Sequence, residues 1–212
     1  MKNLIPIIDV GHGGMVNGKY TTIGKKYYEF NSGLIAYEGV INRAIGRKLA
    51  DKLKANGIHY RYTNLYNEDD MPLQERIAWA NTIYKHIPNT YLLSIHSNAA
   101  SAGLKGKGTK ATGFEIWTSK GETQSDKLAE IAADLYISKF PKIRFRSATH
   151  DKDSKEADYK VLVKTLCPAF LVENLFFDNE REANYLMSDI GHEDISDCLF
   201  EVVKEIYNTE FV

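Results

Sequence analysis

The chain has 212 residues, which suits one folded domain better than two. Its 27 basic and 28 acidic residues nearly cancel, so its net charge excludes the general attraction to nucleic acid or anionic lipid that strongly basic proteins show. No apolar run approaches the roughly 20 residues that a membrane-spanning helix needs. We therefore expect one domain, residues 1–212, with no nucleic-acid partner and no membrane insertion.

The N-terminal stretch "MKNLIPIIDVGHGG" predicts a first strand rather than a signal peptide. Pro6 and Asp9 interrupt its apolar run, and no small-residue cleavage site follows. The two cysteines, Cys167 and Cys198, lack the C-x-x-C spacing of metal and redox motifs, so we expect both to be structural.

Short apolar runs rich in β-forming residues alternate with helical patterns along the chain. The runs predict strands at residues 4–10, 59–63, 90–96, 113–119 and 169–175. Helices are predicted from about residue 40 to a stop at Gly57, from Pro72 to about residue 83, and over 125–140 and 193–207. This alternation is typical of an α/β domain with a twisted, mostly parallel sheet and helices on both faces. Residues 13–36 and 101–112 show no regular pattern and are predicted to be loops.

Polar side chains stand at the ends of the predicted strands, where ligands bind in open parallel sheets. His12 follows the first strand and His96 ends the third. Glu173 lies within the apolar run "FLVENLF", where a carboxylate is costly unless it is paired or near a metal. Glu38 opens the first long helix and follows the loop from His12. The topology predicts that these four side chains meet at one edge of the sheet.

Two imidazoles and one carboxylate are the ligands of a catalytic zinc site whose fourth position holds water. The sequence thus predicts Zn²⁺ bound by His12, Glu38 and His96, with Glu173 as the base that takes the proton from water. Such a site would carry out metal-assisted hydrolysis.

Each of these residues also has an ordinary structural interpretation. His12 could be a turn histidine that bonds to backbone groups, and Glu38 could simply favour the positive end of a helix dipole. Glu173 could pair with a buried arginine. The glycines around His12 do not complete either common phosphate-binding motif. His59, His86 and His192 are predicted to be surface residues, as is His150, although its loop could face the cleft.

Several segments together resemble the zinc-dependent N-acetylmuramoyl-L-alanine amidases of the type-3 family, and the likeness covers nearly the whole chain. The segments, in chain order, are "IDVGHGG", "YEGVINRAIGRKLADKL", "LQERIAWAN", "LSIHSNA", "GFEIWTS" and "LVENLFFDN". The resemblance implies that His12, Glu38 and His96 match the family's zinc ligands and that Glu173 matches its catalytic glutamate. It also implies an α/β fold and cleavage of the amide between the lactyl group of N-acetylmuramic acid and L-alanine in peptidoglycan.

The same resemblance gives Arg76, Asn81 and Asn98 supporting roles. The 25 residues between His12 and Glu38 exceed the length expected in compact members, and their tyrosines could bind substrate or pack the loop down. Without a separate wall-binding module, the expected protein is a monomeric catalytic domain. It would stay in the cytoplasm until release and then act on the wall, as a phage or prophage endolysin does. Two alternatives remain open: a zinc peptidase or deacetylase acting on another wall amide, and a protein that binds wall fragments without cutting them.

Overall fold

The computed structural model describes residues 3–24, 26–101, 104–147 and 153–210. The strands, in chain order, are β1 (Ile5–Val10), β2 (Met15–Val16), β3 (Lys19–Tyr20), β4 (Tyr27–Phe30), β5 (Ile35–Tyr37), β6 (Arg61–Tyr62), β7 (Thr90–Asn98), β8 (Lys105–Gly106), β9 (Glu115–Thr118), β10 (Lys155–Glu156) and β11 (Ala169–Phe176). The helices are α1 (Glu38–Ala55), α2 (Leu73–His86), α3 (Gln124–Lys139), α4 (Lys160–Val163), α5 (Glu180–Leu186) and α6 (Asp189–Asn208).

The main sheet has six strands in the order β10-β9-β11-β7-β1-β6. Its neighbouring strands run parallel except for β9, which is antiparallel to β11. Four of the predicted strands lie in the middle of this sheet, and the fifth, near residues 59–63, shortens to an edge strand of two residues. The prediction of a mostly parallel sheet is confirmed.

Helices cover both faces of the sheet because successive strand residues point to opposite sides. Ile8 and Val10 belong to a large core with α1, α3 and α6, whereas Ile7 and Leu171 belong to a smaller core with α2 and α4. Both faces of the central strands are therefore apolar, which explains why β1, β7 and β11 appear as continuous apolar runs in the sequence.

The prediction that residues 13–36 and 101–112 are loops is wrong in part. Strands β2 and β3 form a hairpin across Asn17 and Gly18, whose φ angles of 50° and 75° suit the tight turn that favours Asn-Gly. Strands β4 and β5 form a second hairpin, and β8 pairs with β4. In β4, Tyr28 and Phe30 are buried while Tyr27 and Glu29 are half-buried, which is the alternation of a strand with one buried face. The strand has only four residues within a polar segment, so this alternation is not evident from the sequence.

Helix boundaries differ from the prediction mainly where capping residues decide them. Helix α6 begins at Asp189 because the hydroxyl of Ser188 accepts a hydrogen bond from the Gly191 amide at 3.0 Å. The apolar pattern alone placed this start at residue 193, one turn later. The short helices α4 and α5 were not predicted, because one or two turns carry too little periodicity.

Other sequence predictions have mixed outcomes. Cys167 and Cys198 are buried free thiols, which confirms their structural character. His192 is half-buried with its Nε2 closed off from solvent, so its prediction as a surface residue is wrong. His150 lies outside the described residues. Within the part of the chain that the structure describes, every helix is too short or too polar to cross a bilayer.

Candidate metal centre and active site

Three side chains from distant parts of the chain meet at the carboxyl end of the sheet. His12 Nε2 lies 3.2 Å from Glu38 Oε2, and His96 Nδ1 lies 3.0 Å from Glu38 Oε1. One ligand atom from each residue lies within 4.8 Å of the other two. The two imidazole rings meet edge to face, with their centroids 5.2 Å apart. The structure thus brings together the three residues that were predicted from the sequence to be metal ligands.

The turn that carries His12 has an unusual backbone. His12 adopts φ of 67°, a left-handed conformation that is costly for a residue with a side chain. The preceding Gly11 leaves room for the His96 ring, because a Cβ at position 11 would lie 2.2 Å from His96 Cε1. This close approach requires glycine, and it lets the two imidazoles share one site.

Glu38 is held by the hairpin that precedes it and by the helix that it begins. Strand β5 runs directly into α1, and the Glu38 amide donates a hydrogen bond to the Lys26 carbonyl at 3.0 Å. One turn later, Asn42 Nδ2 contacts Glu38 Oε1 at 3.5 Å and donates to the Gly11 carbonyl at 3.3 Å. Asn42 therefore links the carboxylate to the backbone beside His12.

The ionisation of Glu38 and of His96 favours metal binding. Burial alone would raise the pKa of Glu38, but its contacts with His12 and His96 lower this pKa well below its usual range. Burial lowers the pKa of His96, although Glu38 opposes the shift. A carboxylate that stays ionised and an imidazole that tends to stay neutral are the forms that bind metals.

Glu173 lies beside this cluster on the neighbouring strand. In the sheet register it pairs with His96 of β7 on one side and with Glu115 of β9 on the other. Its Oε2 is buried and has no hydrogen-bond partner among the described residues. Burial raises the pKa of Glu173 well above its usual range, with the charges of Glu38 and Glu115 adding to the effect. A carboxyl group poised in this way is suited to proton transfer.

A cavity of about 600 Å³ opens over His12, Glu38, His96 and Glu173. It lies on the face of the sheet that α2 and α4 cover, as its apolar lining by Leu73 of α2, Val161 of α4 and Leu171 of β11 indicates. The volume is within the range of clefts that bind small molecules. All four predicted site residues therefore line one cavity.

The three predicted supporting residues have different positions. Arg76 lines the cavity, but its Nη1 donates to Asp9 Oδ2 at 2.9 Å and ties α2 to β1. Asn98 also lines the cavity, and its Nδ2 donates to Glu115 Oε2 at 3.0 Å. Asn81 does not line it; its amide group bonds to the backbone of residues 164 and 166, just after α4.

The sequence analysis missed Glu115 and Asn42. Glu115 is a buried carboxylate that accepts hydrogen bonds from Arg146 at 2.6 Å and Lys155 at 2.9 Å, and it holds Asn98 at the cavity wall. Its signal was present in "GFEIWTS", a carboxylate in an apolar strand, which is the same argument that selected Glu173. Asn42 was also detectable, since it lies one turn after Glu38 on the helix.

The cluster fits a divalent metal on structural grounds. His12 Nε2 and Glu38 Oε2 are buried and form no hydrogen bond with the described residues, although buried polar atoms are normally bonded. Two imidazoles and a carboxylate are one of the sets of protein ligands found at three-ligand catalytic metal sites. A cation between these atoms would supply the partner that each of them lacks.

Comparison with known proteins gives one family. The family model described as N-acetylmuramoyl-L-alanine amidase matches residues 7–205. An endolysin from Bacillus phage SPP1 is 27% identical over 206 residues, which cover 95% of this chain and 65% of the phage protein. The chain therefore spans just under two thirds of the length of that curated relative.

Solved structures give the same fold. An N-acetylmuramoyl-L-alanine amidase from Clostridium difficile 630 superposes with a TM-score of 0.73 at 24% identity, covering 96% of this chain and 97% of that one. The amidase Ami1 from Mycobacterium smegmatis gives a TM-score of 0.74 at 16% identity, with 97% of both chains covered. Because the family model spans nearly the whole chain, from β1 to the last helix, this protein belongs to the N-acetylmuramoyl-L-alanine amidase family.

Proposed function

We propose that this protein is a zinc-dependent N-acetylmuramoyl-L-alanine amidase that hydrolyses the amide between the lactyl group of N-acetylmuramic acid and L-alanine in peptidoglycan. The observation that carries the proposal is the convergence of His12, Glu38 and His96 within 4.8 Å, beside the carboxyl group of Glu173, whose buried Oε2 has no hydrogen-bond partner among the described residues. Family membership supports the identity of the bond that is cut.

In this proposal, His12, Glu38 and His96 hold the metal and Glu173 moves the proton. Bound zinc polarises the scissile carbonyl and lowers the pKa of water. Glu173 accepts the proton from the water that attacks the carbonyl carbon. It then donates this proton to the nitrogen of L-alanine as the amide bond breaks, so that the products are a free lactyl carboxylate and a free peptide amine.

The proposed biological role is wall lysis of the endolysin kind. The phage SPP1 relative supports this role, because it is itself an endolysin and aligns with 95% of the chain. The expected result is that the purified protein, added to Bacillus cell walls, lowers their turbidity. Walls that stay turbid while isolated muropeptides are cleaved would argue for a role other than lysis.

The decisive experiment compares the wild type with Glu173→Gln on purified muropeptides, with product masses as the readout. Because general acid–base catalysis typically contributes 10²- to 10⁴-fold, kcat should fall by about that factor. Removing the metal with a chelator should abolish cleavage, and added zinc should restore it. Glu122→Gln is the matched control, since Glu122 is exposed and far along the chain from the site residues.

Product masses also separate the alternatives. A free lactyl-muramic end with a new L-alanine amine supports the amidase. Cleavage at another amide would make the protein a zinc peptidase or deacetylase. Bound zinc without any turnover would make it a binding protein for wall fragments.

A further inference from the structure

Among the described residues between His12 and Glu38, which exclude residue 25, Lys26 is the one that lines the cavity. It lies immediately before β4, its amide donates to the Gly24 carbonyl at 3.0 Å, and its own carbonyl accepts from the Glu38 amide at 3.0 Å. The hairpin of β4 and β5 therefore positions Lys26 and Glu38 together. This arrangement places the ammonium group of Lys26 beside the candidate metal ligands.

The ammonium group of Lys26 forms a long ion pair with Glu38 and keeps its hydrogen-bonding capacity for a ligand. It lies 3.6 Å from Glu38 Oε2, and no other carboxylate of the described residues is within 4.0 Å of it. Its side chain is 43% exposed, on the cavity wall. A lysine ammonium can donate three hydrogen bonds, and among the described residues none of these has an acceptor. When Glu38 binds a metal, its attraction for Lys26 weakens further.

The remaining charges of the cavity favour an anionic ligand. Glu38 and Glu173 are assigned to metal binding and proton transfer, and Asp158 pairs with Lys120 at 2.5 Å. Arg76 pairs with Asp9. Among the described lining residues, two cations remain for a ligand: Lys26, whose partner Glu38 is also a proposed metal ligand, and the exposed Lys160 at the start of α4.

The chemistry of the proposed substrate indicates on which side of the scissile amide a negative charge lies. On the glycan side of the scissile amide, the lactyl carboxyl is the carbonyl under attack, and the sugars carry neutral hydroxyl and acetamide groups. The nearest free carboxylate is therefore on the peptide side, on the glutamate that follows L-alanine. In some walls this carboxylate is replaced by a neutral carboxamide.

We propose that Lys26 is a specificity-determining residue that binds the free carboxylate of this second stem residue, so that the enzyme prefers acidic stem peptides to amidated ones. The inference rests on the proposed amidase function. Lys160, on the α4 side of the cavity, adds to the positive potential there. A carboxamide can accept a hydrogen bond from Lys26 but offers no net charge, so it binds more weakly.

The test uses two substrates whose γ-carboxyl group is capped as a methylamide, so that they differ only in the presence of the free carboxylate: the γ-methylamides of muramoyl-L-alanyl-D-isoglutamate and muramoyl-L-alanyl-D-isoglutamine. We expect the wild type to show a kcat/KM about tenfold higher for the acid, mainly through KM, as a charge-assisted hydrogen bond implies. Lys26→Gln should bring the ratio close to one. Lys19→Gln is the matched control, because Lys19 is an exposed lysine of the same segment that does not line the cavity, and it should keep the wild-type ratio.

Binding gives a second readout that needs no turnover. The zinc-loaded Glu173→Gln variant, with and without Lys26→Gln, is titrated with both compounds by calorimetry, and thermal unfolding checks that each variant is folded. We expect tighter binding of the acid only when Lys26 is present. Equal wild-type cleavage and equal binding of both compounds would overturn the inference while leaving the amidase intact.

Two other results also have defined meanings. If Lys26→Gln slows both substrates equally through kcat, Lys26 acts on the reacting carbonyl and the specificity inference is wrong. If neither compound is cleaved by the wild type, the proposed function fails, and the binding comparison still decides whether Lys26 selects a carboxylate.

Discussion

At the scale of single residues, the geometry of the site depends on a glycine as well as on the proposed metal ligands. Gly11 illustrates this, because its lack of a Cβ lets His96 lie directly on the backbone that leads to His12. The strand-end positions of His12 and His96 could be predicted from sequence, because parallel strands end at a common edge. The closeness of Gly11 to His96 could not, since it depends on how β1 and β7 align in the sheet.

We predict that Gly11→Ala lowers zinc affinity by at least about tenfold, a loss typical when the support of a metal ligand is disturbed. The new Cβ would lie 2.2 Å from His96 Cε1, and the backbone cannot yield easily because the Gly11 amide donates to the Ile95 carbonyl at 2.9 Å. The imidazole must therefore move. Competition with a chelator of known affinity measures the effect.

Gly57→Ala is the control for this experiment. Gly57 lies two residues after the end of α1 with φ of 68°, and a Cβ there would contact nothing within 4 Å. The substitution should lower the free energy of unfolding by about 1 kcal/mol through backbone strain, without changing zinc affinity. Unchanged zinc affinity in Gly11→Ala would show that the close contact with His96 does not position it.

At the scale of elements, the first turn of α1 determines where Glu38 lies. The helix begins without a side-chain cap at Tyr37, and the hydroxyl of Tyr20 in β3 accepts a hydrogen bond from the Gly39 amide at 2.9 Å instead. The sequence predicted the helix well from its apolar spacing but treated the preceding segment as a loop. The two hairpins of this segment were not predicted, because short strands bury too few apolar residues to produce a clear pattern in the sequence.

We predict that Tyr20→Phe lowers the free energy of unfolding by about 1–3 kcal/mol and zinc affinity severalfold, because the Gly39 amide beside Glu38 loses its partner. Denaturant unfolding and zinc competition measure the two effects.

The comparison for Tyr20→Phe is Thr123→Ala, which removes the cap of α3, where the Thr123 hydroxyl accepts from the Ser125 amide. This change should cost about 1 kcal/mol and leave zinc affinity unaltered. If both variants lost stability equally and neither lost affinity for zinc, the cap on α1 would have no role in placing Glu38.

At the scale of the whole molecule, a buried ion pair joins the sheet to the helical layer beside the cavity. Asp9 Oδ2 accepts from Arg76 Nη1 at 2.9 Å and from the Ser94 hydroxyl at 2.7 Å. Burial would raise the pKa of Asp9, but Arg76 and the hydrogen bonds lower it below its ordinary value. This pair stabilises the folded state above the ordinary pKa of aspartate, and the stabilisation is lost as pH falls through the lowered value.

We predict that Arg76→Met lowers the free energy of unfolding near neutral pH by about 3–5 kcal/mol, because it leaves Asp9 buried and charged without its partner. In the variant, burial raises the pKa of Asp9, so protonation relieves the penalty as pH falls. The difference from the wild type should therefore shrink between about pH 7 and about pH 4. Urea unfolding at several pH values tests this, and a difference independent of pH would contradict it.

The sequence by itself determined the alternation of strands and helices, the mostly parallel sheet, and the four residues that converge at its edge. These follow from local patterns and from a general rule of sheet topology, which a single sequence can express. Only the tertiary structure decided how Glu115 fixes Asn98, how Asn42 holds Glu38, and that Lys26 enters the cavity. These contacts join residues through register, turn geometry and burial, which depend on the packing of the whole chain and leave no periodic pattern in the sequence.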